Sequence, residues 1–540
     1  MAVLPEQQRP FDRPLPLRLI FPLLFVGVYL SHLTLLRLPY YWDEAGYYIP
    51  AAYDFFRTGD VIPSTTLPNA HPPLPSLYLA LWWKSGFTPA VTRTAMCLVS
   101  AIGLLAVYRL GIVLNGRTRV AATATLLTAI YPVWFAQSTL AHADMFAAAA
   151  TLWGLVFVFP GQRRPADLWA AAACFAVAAW SKETAIVTPL AISLWEMYLC
   201  LRGNDQDCGR HLRAALLLLL PPATLLAWYA YFRQRTGYIF GNPEFLRYNA
   251  TSTLSPVRIL LALAHRILQL TAHMNMFVPV LCMLGAMLLL PLRDTDGTLR
   301  PRISPANQAI LYVVIAANIL FFSVLGGALL TRYLLPLYPL ILLLCVSTFY
   351  RRVPYWWGLV LLSAAAFVIG LFVNPPYKFA AEDNLNYADV IRLHQQAIRQ
   401  IVNRFPGSTV LTAWPATDEL SKPELGYVKK PVAVVAVANF SLPEIQKAAA
   451  SAQDFSVGFV FSTKYDPPRL WLNLGSRNEA LDTRFFDFHR DLGPSAIAHF
   501  LNGNVVWRDD GQGEWAAVLH FNRPQVASLG GEPATIIPEP

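Results

Sequence analysis

The chain has 540 residues, 55% of them hydrophobic and only 14% charged, with a mean hydropathy of +0.41. No water-soluble fold needs that much apolar surface, so lipid must be the solvent for much of the chain. The formal charge of +9 raises nucleic acid as a partner, but from Asn374 onward 15 Lys+Arg face 18 Asp+Glu, against 27 and 15 before it. A basic excess confined to the apolar part follows membrane topology and argues against nucleic acid.

Apolar runs of about 20 residues, the length a helix needs to cross the hydrocarbon, lie near 17–36, 91–114, 119–140, 143–160, 166–181, 184–201, 212–232, 274–292, 307–326, 333–350 and 354–373. They predict eleven spans. With the N-terminus in the cytoplasm, the connections 115–119, 161–164, 202–213, 293–302 and Arg351-Arg352 fall inside; all are short and carry arginine, as the positive-inside rule asks. The first run has Arg9, Arg13 and Arg18 at its head and no small-residue cleavage site after it, which predicts a retained span rather than a signal peptide. Five of the six cysteines fall in apolar segments and Cys208 in a short basic inner loop, so no disulfide is expected.

The first outer loop, 37–90, opens on Tyr40, Tyr41 and Trp42 and carries the apolar stretch Leu77 to Trp83 near its end. Aromatic residues favour the headgroup layer, so the loop is expected to hold two interfacial helices, with a further one through Pro256 to Leu270. After Pro375-Pro376 the composition becomes that of a soluble domain. Ala388 to Arg404 reads as an amphipathic helix, 408–413, 432–437 and 457–462 as buried strands, 442–452 as a helix, and 505–508 with 516–521 as a closing hairpin. The expected organisation is a membrane domain, 1–375, followed by an extracytoplasmic α/β domain, 376–540, with the chain in the cytoplasmic (inner) membrane.

Five separated segments bring chemistry-capable residues to the outer face. Asp43-Glu44 follows the first span; the pair either caps an interfacial helix or supplies a base. His71 precedes Pro72-Pro73, a rigid pair that either ends the loop or holds the imidazole for a phosphate oxygen. Asp144, after His142, heads the fourth span, where an ionisable group is costly unless hydrated or paired. Lys182-Glu183 occupies a short outer turn, and Lys182 is one of only two lysines before Asn374. Arg332-Tyr333 leads the tenth span in Thr331-Arg-Tyr-Leu-Leu-Pro-Leu-Tyr-Pro; a guanidinium there either snorkels to the headgroups or donates two hydrogen bonds to a phosphate. In the tail, Trp414, Asp418 and Glu419 lie just past a predicted strand, in structural roles or as acceptor contacts. No ligand spacing supports a metal site.

The Asp-Glu pair in the first outer loop, His-Pro-Pro-Leu opening a surface helix, the acid leading the fourth span, the Ser-Lys-Glu turn and the Arg-Tyr-Leu-Leu-Pro-Leu-Tyr-Pro run together resemble the GT-C class of membrane glycosyltransferases. Within it they are most similar to the family 39 group of protein O-mannosyltransferases and lipid A aminoarabinose transferases. The resemblance covers about residues 17–350. It implies a GT-C fold and an inverting glycosyltransferase that moves a monosaccharide from a polyprenyl-phosphate donor to a lipid, glycan or protein hydroxyl. It further implies Asp43 as general base with Glu44 as its support, and His71, Lys182 and Arg332, with Glu183 and Tyr333, around the donor phosphate and substrate. Asp144 would orient a cation or a sugar hydroxyl. His71 departs from the lysine that aminoarabinose transferases carry there, replacing a fixed charge by a titratable one. A phosphate leaving group needs positive charge rather than a general acid, so no cofactor is required, although many relatives in the class use a divalent cation. A transporter or flippase for a lipid-linked saccharide, and a scaffold displaying the tail domain, are the competing readings.

Overall fold

In a computed structural model the chain is described from residue 16 to residue 522, apart from 67–70, 160–163, 203–204, 242, 451–453, 466, 468–474 and 487. It forms two compact units. The first contains residues up to Ile391 and takes in Lys464–Phe488; the second contains Arg392–Thr463 and the residues from His489. Residues 376–391, expected in the soluble domain, pack with the first unit.

The first unit is helical, and every apolar run read from the sequence coincides with helix. Among the described residues four helices are long and apolar enough to cross a membrane: Pro89–Asn115, Glu183–Arg202, Cys208–Thr236 and Pro305–Val324. The pair Pro256–Asn275 and Phe277–Met287 would add a fifth as a span broken by a 99° bend, and Leu17–Ser31, Thr118–Ile130, Ala143–Val158 and Trp356–Phe372 are shorter apolar helices. Large apolar side chains stand exposed along these elements, among them Leu23 at 68%, Leu288 at 88% and Leu361 at 69%. Such faces are stable only against lipid. Cys200 and Cys208 are joined in a disulfide across the turn after Glu183–Arg202, correcting the expectation of none: the sequence showed an apolar and a loop cysteine but not that the turn apposes them.

Local chemistry sets the helix ends. Thr88 accepts from the Val91 N–H and Pro89 takes the first helical position, while Gly116, at φ 75°, closes the same helix in the left-handed region. This is the proline-first, glycine-last asymmetry expected of a well-punctuated helix. Pro89–Asn115 packs against Leu17–Ser31, Thr118–Ile130 and Ala143–Val158. The approach to Thr118–Ile130 is close, because a Cβ on Gly111 would stand 2.7 Å from the Ala121 Cα. Small residues at such crossings let backbones meet where lipid offers no hydrophobic drive to association.

The first outer loop holds the turn Glu44–Tyr48, wound as a π-helix, then Ile49–Thr58 and Leu74–Trp83. Ion pairing clamps the loop down. Glu44 is fully buried and accepts from the N–H groups of Tyr41 at 2.9 Å and Ala141 at 2.7 Å, and from Arg93 Nη2 at 3.2 Å. Arg93, equally buried, also donates to the carbonyls of Leu38, Pro39 and Thr139. One charge pair therefore ties the loop to the helix Pro89–Asn115 and to the 138–142 turn.

The second unit is built on a five-stranded sheet of order β2-β1-β3-β5-β4, with β1 Val410–Ala413, β2 Val434–Val437, β3 Val457–Phe461, β4 Gly503–Gly511 and β5 Glu514–Phe521. β1 lies parallel to β2 and β3, and β5 runs antiparallel to both β3 and β4. β1 and β3 are buried throughout, which explains why Val-Leu-Thr-Ala and Val-Gly-Phe-Val-Phe show no polar alternation. His394 and Glu419 pair at 2.7 Å inside this unit, with the imidazole packed on Phe459 and Phe461.

Two variants test the packing. Gly111→Val should lower the thermal midpoint of the detergent-purified protein clearly, whereas Gly27→Ala, where an added Cβ meets nothing within 4 Å, should be neutral or raise stability by up to about 1 kcal/mol. Separately, Arg93→Met leaves Glu44 buried without its counter-charge and should cost about 3–5 kcal/mol, read as loss of folded protein by thermal unfolding. Wild-type behaviour of that variant would mean that Glu44 is not held as described.

Candidate active site

Trp42 takes the left-handed backbone conformation, φ 46°, a strained position for a bulky residue, immediately before the π-helical turn. π-Turns are rare and concentrate at functional positions. From this bend Asp43 and Glu44 go to different partners: Glu44 into the Arg93 clamp, Asp43 to Arg332. The expected support of Asp43 by Glu44 is thus structural and runs through the backbone.

Arg332 is the hub. It lies in the 3-10 turn Thr331–Leu334, with its side chain 3% exposed. Its Nη2 pairs with Asp43 Oδ2, its Nη1 with Glu382 Oε1, and its Nε lies 3.3 Å from Asp144 Oδ2. Asp144, the second residue of the helix Ala143–Val158, also accepts from Lys182 Nζ at 2.6 Å. The Lys182 ammonium sits 4.0 Å from the centroid of the Tyr333 ring, so the phenol shares its charge by a cation–π contact. Asp43, Asp144, Lys182, Arg332 and Tyr333, from four separated segments, thus form one cluster.

His71 and Glu183 meet in a neighbouring pair. His71 Nδ1 is 2.7 Å from Glu183 Oε2, and the imidazole stacks on Tyr48 with centroids 5.8 Å apart. The Tyr48 ring also lies against His142, with centroids 5.7 Å apart. His71 is engaged with the Glu183 carboxylate here.

Two members were invisible to the sequence reading. Glu382, in the segment after Trp356–Phe372, was assigned to the soluble domain; burial pushes its carboxyl up to about 8, with Arg332 opposing and Asp43, Asp383 and Asp144 adding. Arg266 was read as part of an interfacial helix. It is fully buried, donates to the carbonyls of Phe322 and Leu330 and to Gln269, and its guanidinium carbon lies 5.6 Å from the Tyr333 ring centroid. Its remaining Nη2 has no hydrogen-bond partner, and no carboxylate pairs with it among the described residues. The only prior signal was an arginine on the apolar stretch Pro256–Leu270.

Among the described residues no three His, Cys, Asp or Glu side chains are grouped to hold a metal ion. Asp43, Asp144 and Glu382 do converge, but on a guanidinium.

A family model described as dolichyl-phosphate-mannose-protein mannosyltransferase matches residues 70–228, which contain His71, Asp144, Lys182 and Glu183. Among curated proteins, none matches the sequence significantly. Solved structures do. ArnT from Cupriavidus metallidurans in the apo state aligns over 92% of this chain and 97% of its own at 16% identity, with a TM-score of 0.53. The same protein bound to undecaprenyl phosphate aligns over 95% and 99%, also at 16% identity and 0.53. The Archaeoglobus fulgidus oligosaccharyltransferase in the apo form aligns over 82% and 69% at 10% identity, with a TM-score of 0.47. Over nearly its full length the chain therefore has a fold similar to that of ArnT, and its residues 70–228 match the mannosyltransferase family model.

Proposed function

We propose that the protein is an inverting glycosyltransferase that moves a monosaccharide from a polyprenyl-phosphate carrier to the hydroxyl of a lipid, glycan or protein acceptor, at the outer face of the cytoplasmic membrane. In this reading eleven helices span the bilayer, the N-terminus is cytoplasmic and the second unit is extracytoplasmic. The observation that carries it is the meeting of Asp43 and Asp144 with Lys182, Arg332 and Tyr333 around one point. Glycosyl transfer from a phosphate asks for a base on one side of the anomeric carbon and fixed positive charge on the other.

Asp43 takes the proton of the attacking hydroxyl, whose oxygen then bonds to the anomeric carbon as the bond to the phosphate oxygen breaks. The electron pair leaves on the phosphate. Lys182 and Arg332, with Arg266 behind Tyr333, neutralise that developing charge, and the spare Arg266 Nη2 is a donor with no other duty. His71, held by Glu183, borders the site. The donor must displace part of the resident pairing, because Arg332 is hydrogen-bonded through Nη1 and Nη2, while its Nε stands 3.3 Å from Asp144 Oδ2 with no hydrogen bond. A divalent cation, where present, would add Lewis-acid charge at the carboxylates, and none of these residue roles depends on it.

Asp43→Asn tests the base. Sugar transfer from a polyprenyl-phosphate donor should fall by about 10²–10⁴-fold with normal membrane insertion; retained transfer would remove Asp43 from that role. Lys182→Met should reduce kcat/KM for the donor by about 10²–10³-fold, measured against a folding control such as the thermal midpoint. Mass spectrometry of envelope glycolipids and glycans in cells with and without the protein would identify the product, and an unchanged profile would count against transfer altogether.

A further inference from the structure

Glu382 belongs to none of the motifs that mark the class, yet its carboxylate ends on the same guanidinium as Asp43 and Asp144. The segment that carries it is pinned at several points. Gln137 Nε2 donates to the Glu382 carbonyl at 3.3 Å, Asn384 donates to the Gly370 carbonyl, and Tyr387 hydrogen-bonds with Thr139. Asp383, the next residue, accepts from Thr331 and pairs with His273 at 3.0 Å. Thr331 and Arg332 are therefore gripped together, by consecutive acids of one turn.

The three carboxylates on Arg332 are not equivalent. Asp43 is 21% exposed, while Glu382 is 5% and Asp144 2% exposed. The Nη2 edge thus faces the most exposed of the three acids, and Nη1 and Nε face the two buried ones. Glu382 and Asp144 can thus stay in place while the Asp43 contact exchanges. Asp144 is already committed to Lys182, which leaves Glu382 as the anchor with no second cation.

Resting on the transfer reading above, we propose that Glu382 is a positioning residue. It holds Arg332 through Nη1 so that the Nη2 edge passes from Asp43 to the donor phosphate without the guanidinium leaving the site, and that exchange frees Asp43 to approach the acceptor hydroxyl. The charge inventory fits this role. Arg332 and Lys182 balance Asp43 and Asp144, so Glu382 completes a neutral cluster when it carries its own proton, as its raised pKa of about 8 allows. The groups facing it are Arg332, Asp43, Asp144 and Asp383, with Gln137 on its backbone side. Ionisation of Glu382 adds one negative charge beside the phosphate and tightens its hold on Arg332. Donor binding should therefore weaken as pH rises through about 8 and be undisturbed below it.

The test is binding of undecaprenyl phosphate to the full chain in nanodiscs between pH 7.5 and 9, where a phosphate monoester is already dianionic. Wild-type affinity should fall with pH, approaching about tenfold per unit above the Glu382 midpoint. Glu382→Gln, neutral and of the same shape, should match wild type at pH 7.5 and lose the pH dependence. Glu382→Ala should bind about tenfold or more weakly across the range, with a thermal midpoint measured to separate unfolding from lost anchoring. An unchanged pH slope in Glu382→Gln would overturn the positioning role alone. Absence of binding by the wild type would overturn the transfer reading and this role with it.

Discussion

One guanidinium organises the candidate site. Arg332 is surrounded by Asp43 from the first outer loop, Asp144 from the head of a central helix and Glu382 from the segment after the last apolar helix. None of these acids is tolerable in an apolar interior alone, because a buried charge without a partner costs several kcal/mol. Each is therefore stable only where the others place Arg332, and the turn Thr331–Leu334 can hold it there only because Asp383 fixes Thr331. The cluster is assembled by mutual electrostatic need rather than by any single element.

A second buried pair lies close by and does different work. Glu44 and Arg93 are sealed from solvent, and every nitrogen of Arg93 meets an acceptor in the 38–44 or 138–142 segments. That pair fixes where the backbone of Trp42 and Asp43 lies, so the acidic dipeptide divides into a half held by Arg93 and a half held by Arg332. The division is geometric: successive residues of a helical turn point in directions about 100° apart.

The helices, the strands and most of the cluster were legible in the sequence, because each leaves a local signal. The expected strand 457–462 is β3, and the expected hairpin of 505–508 with 516–521 falls within β4 and β5. Asp144, Lys182 and Arg332 were visible as charges out of place at the heads of apolar runs. Glu382 and Arg93 were not. Glu382 sits in an ordinary polar stretch, Ala381-Glu-Asp-Asn, whose composition is that of a soluble linker; only tertiary packing draws it into the first unit. Arg93 begins an apolar helix and reads as a flanking cation until its acceptors are seen. The pairing of His71 with Glu183, across more than a hundred residues, has no counterpart in sequence pattern at all.

The location of the charges bears on mechanism. Asp144 is in the first turn of its helix, Lys182 caps the C-terminal end of Pro165–Ser181, and Arg332 precedes Tyr338–Arg352. The carboxylate thus lies at a helix N-terminus and the ammonium at a C-terminus, each where the peptide dipoles favour it. A path for carrying a saccharide across the bilayer would need polar groups distributed along the helices, whereas these are concentrated at their ends, where a lipid phosphate resides. On the transfer reading proposed above, a site at that level would bring the carrier's headgroup to fixed charge while its polyprenyl chain stayed in hydrocarbon. The binding energy of the lipid would then be spent on breaking the resident ion pair between Arg332 and Asp43, coupling arrival of the donor to release of the proposed base.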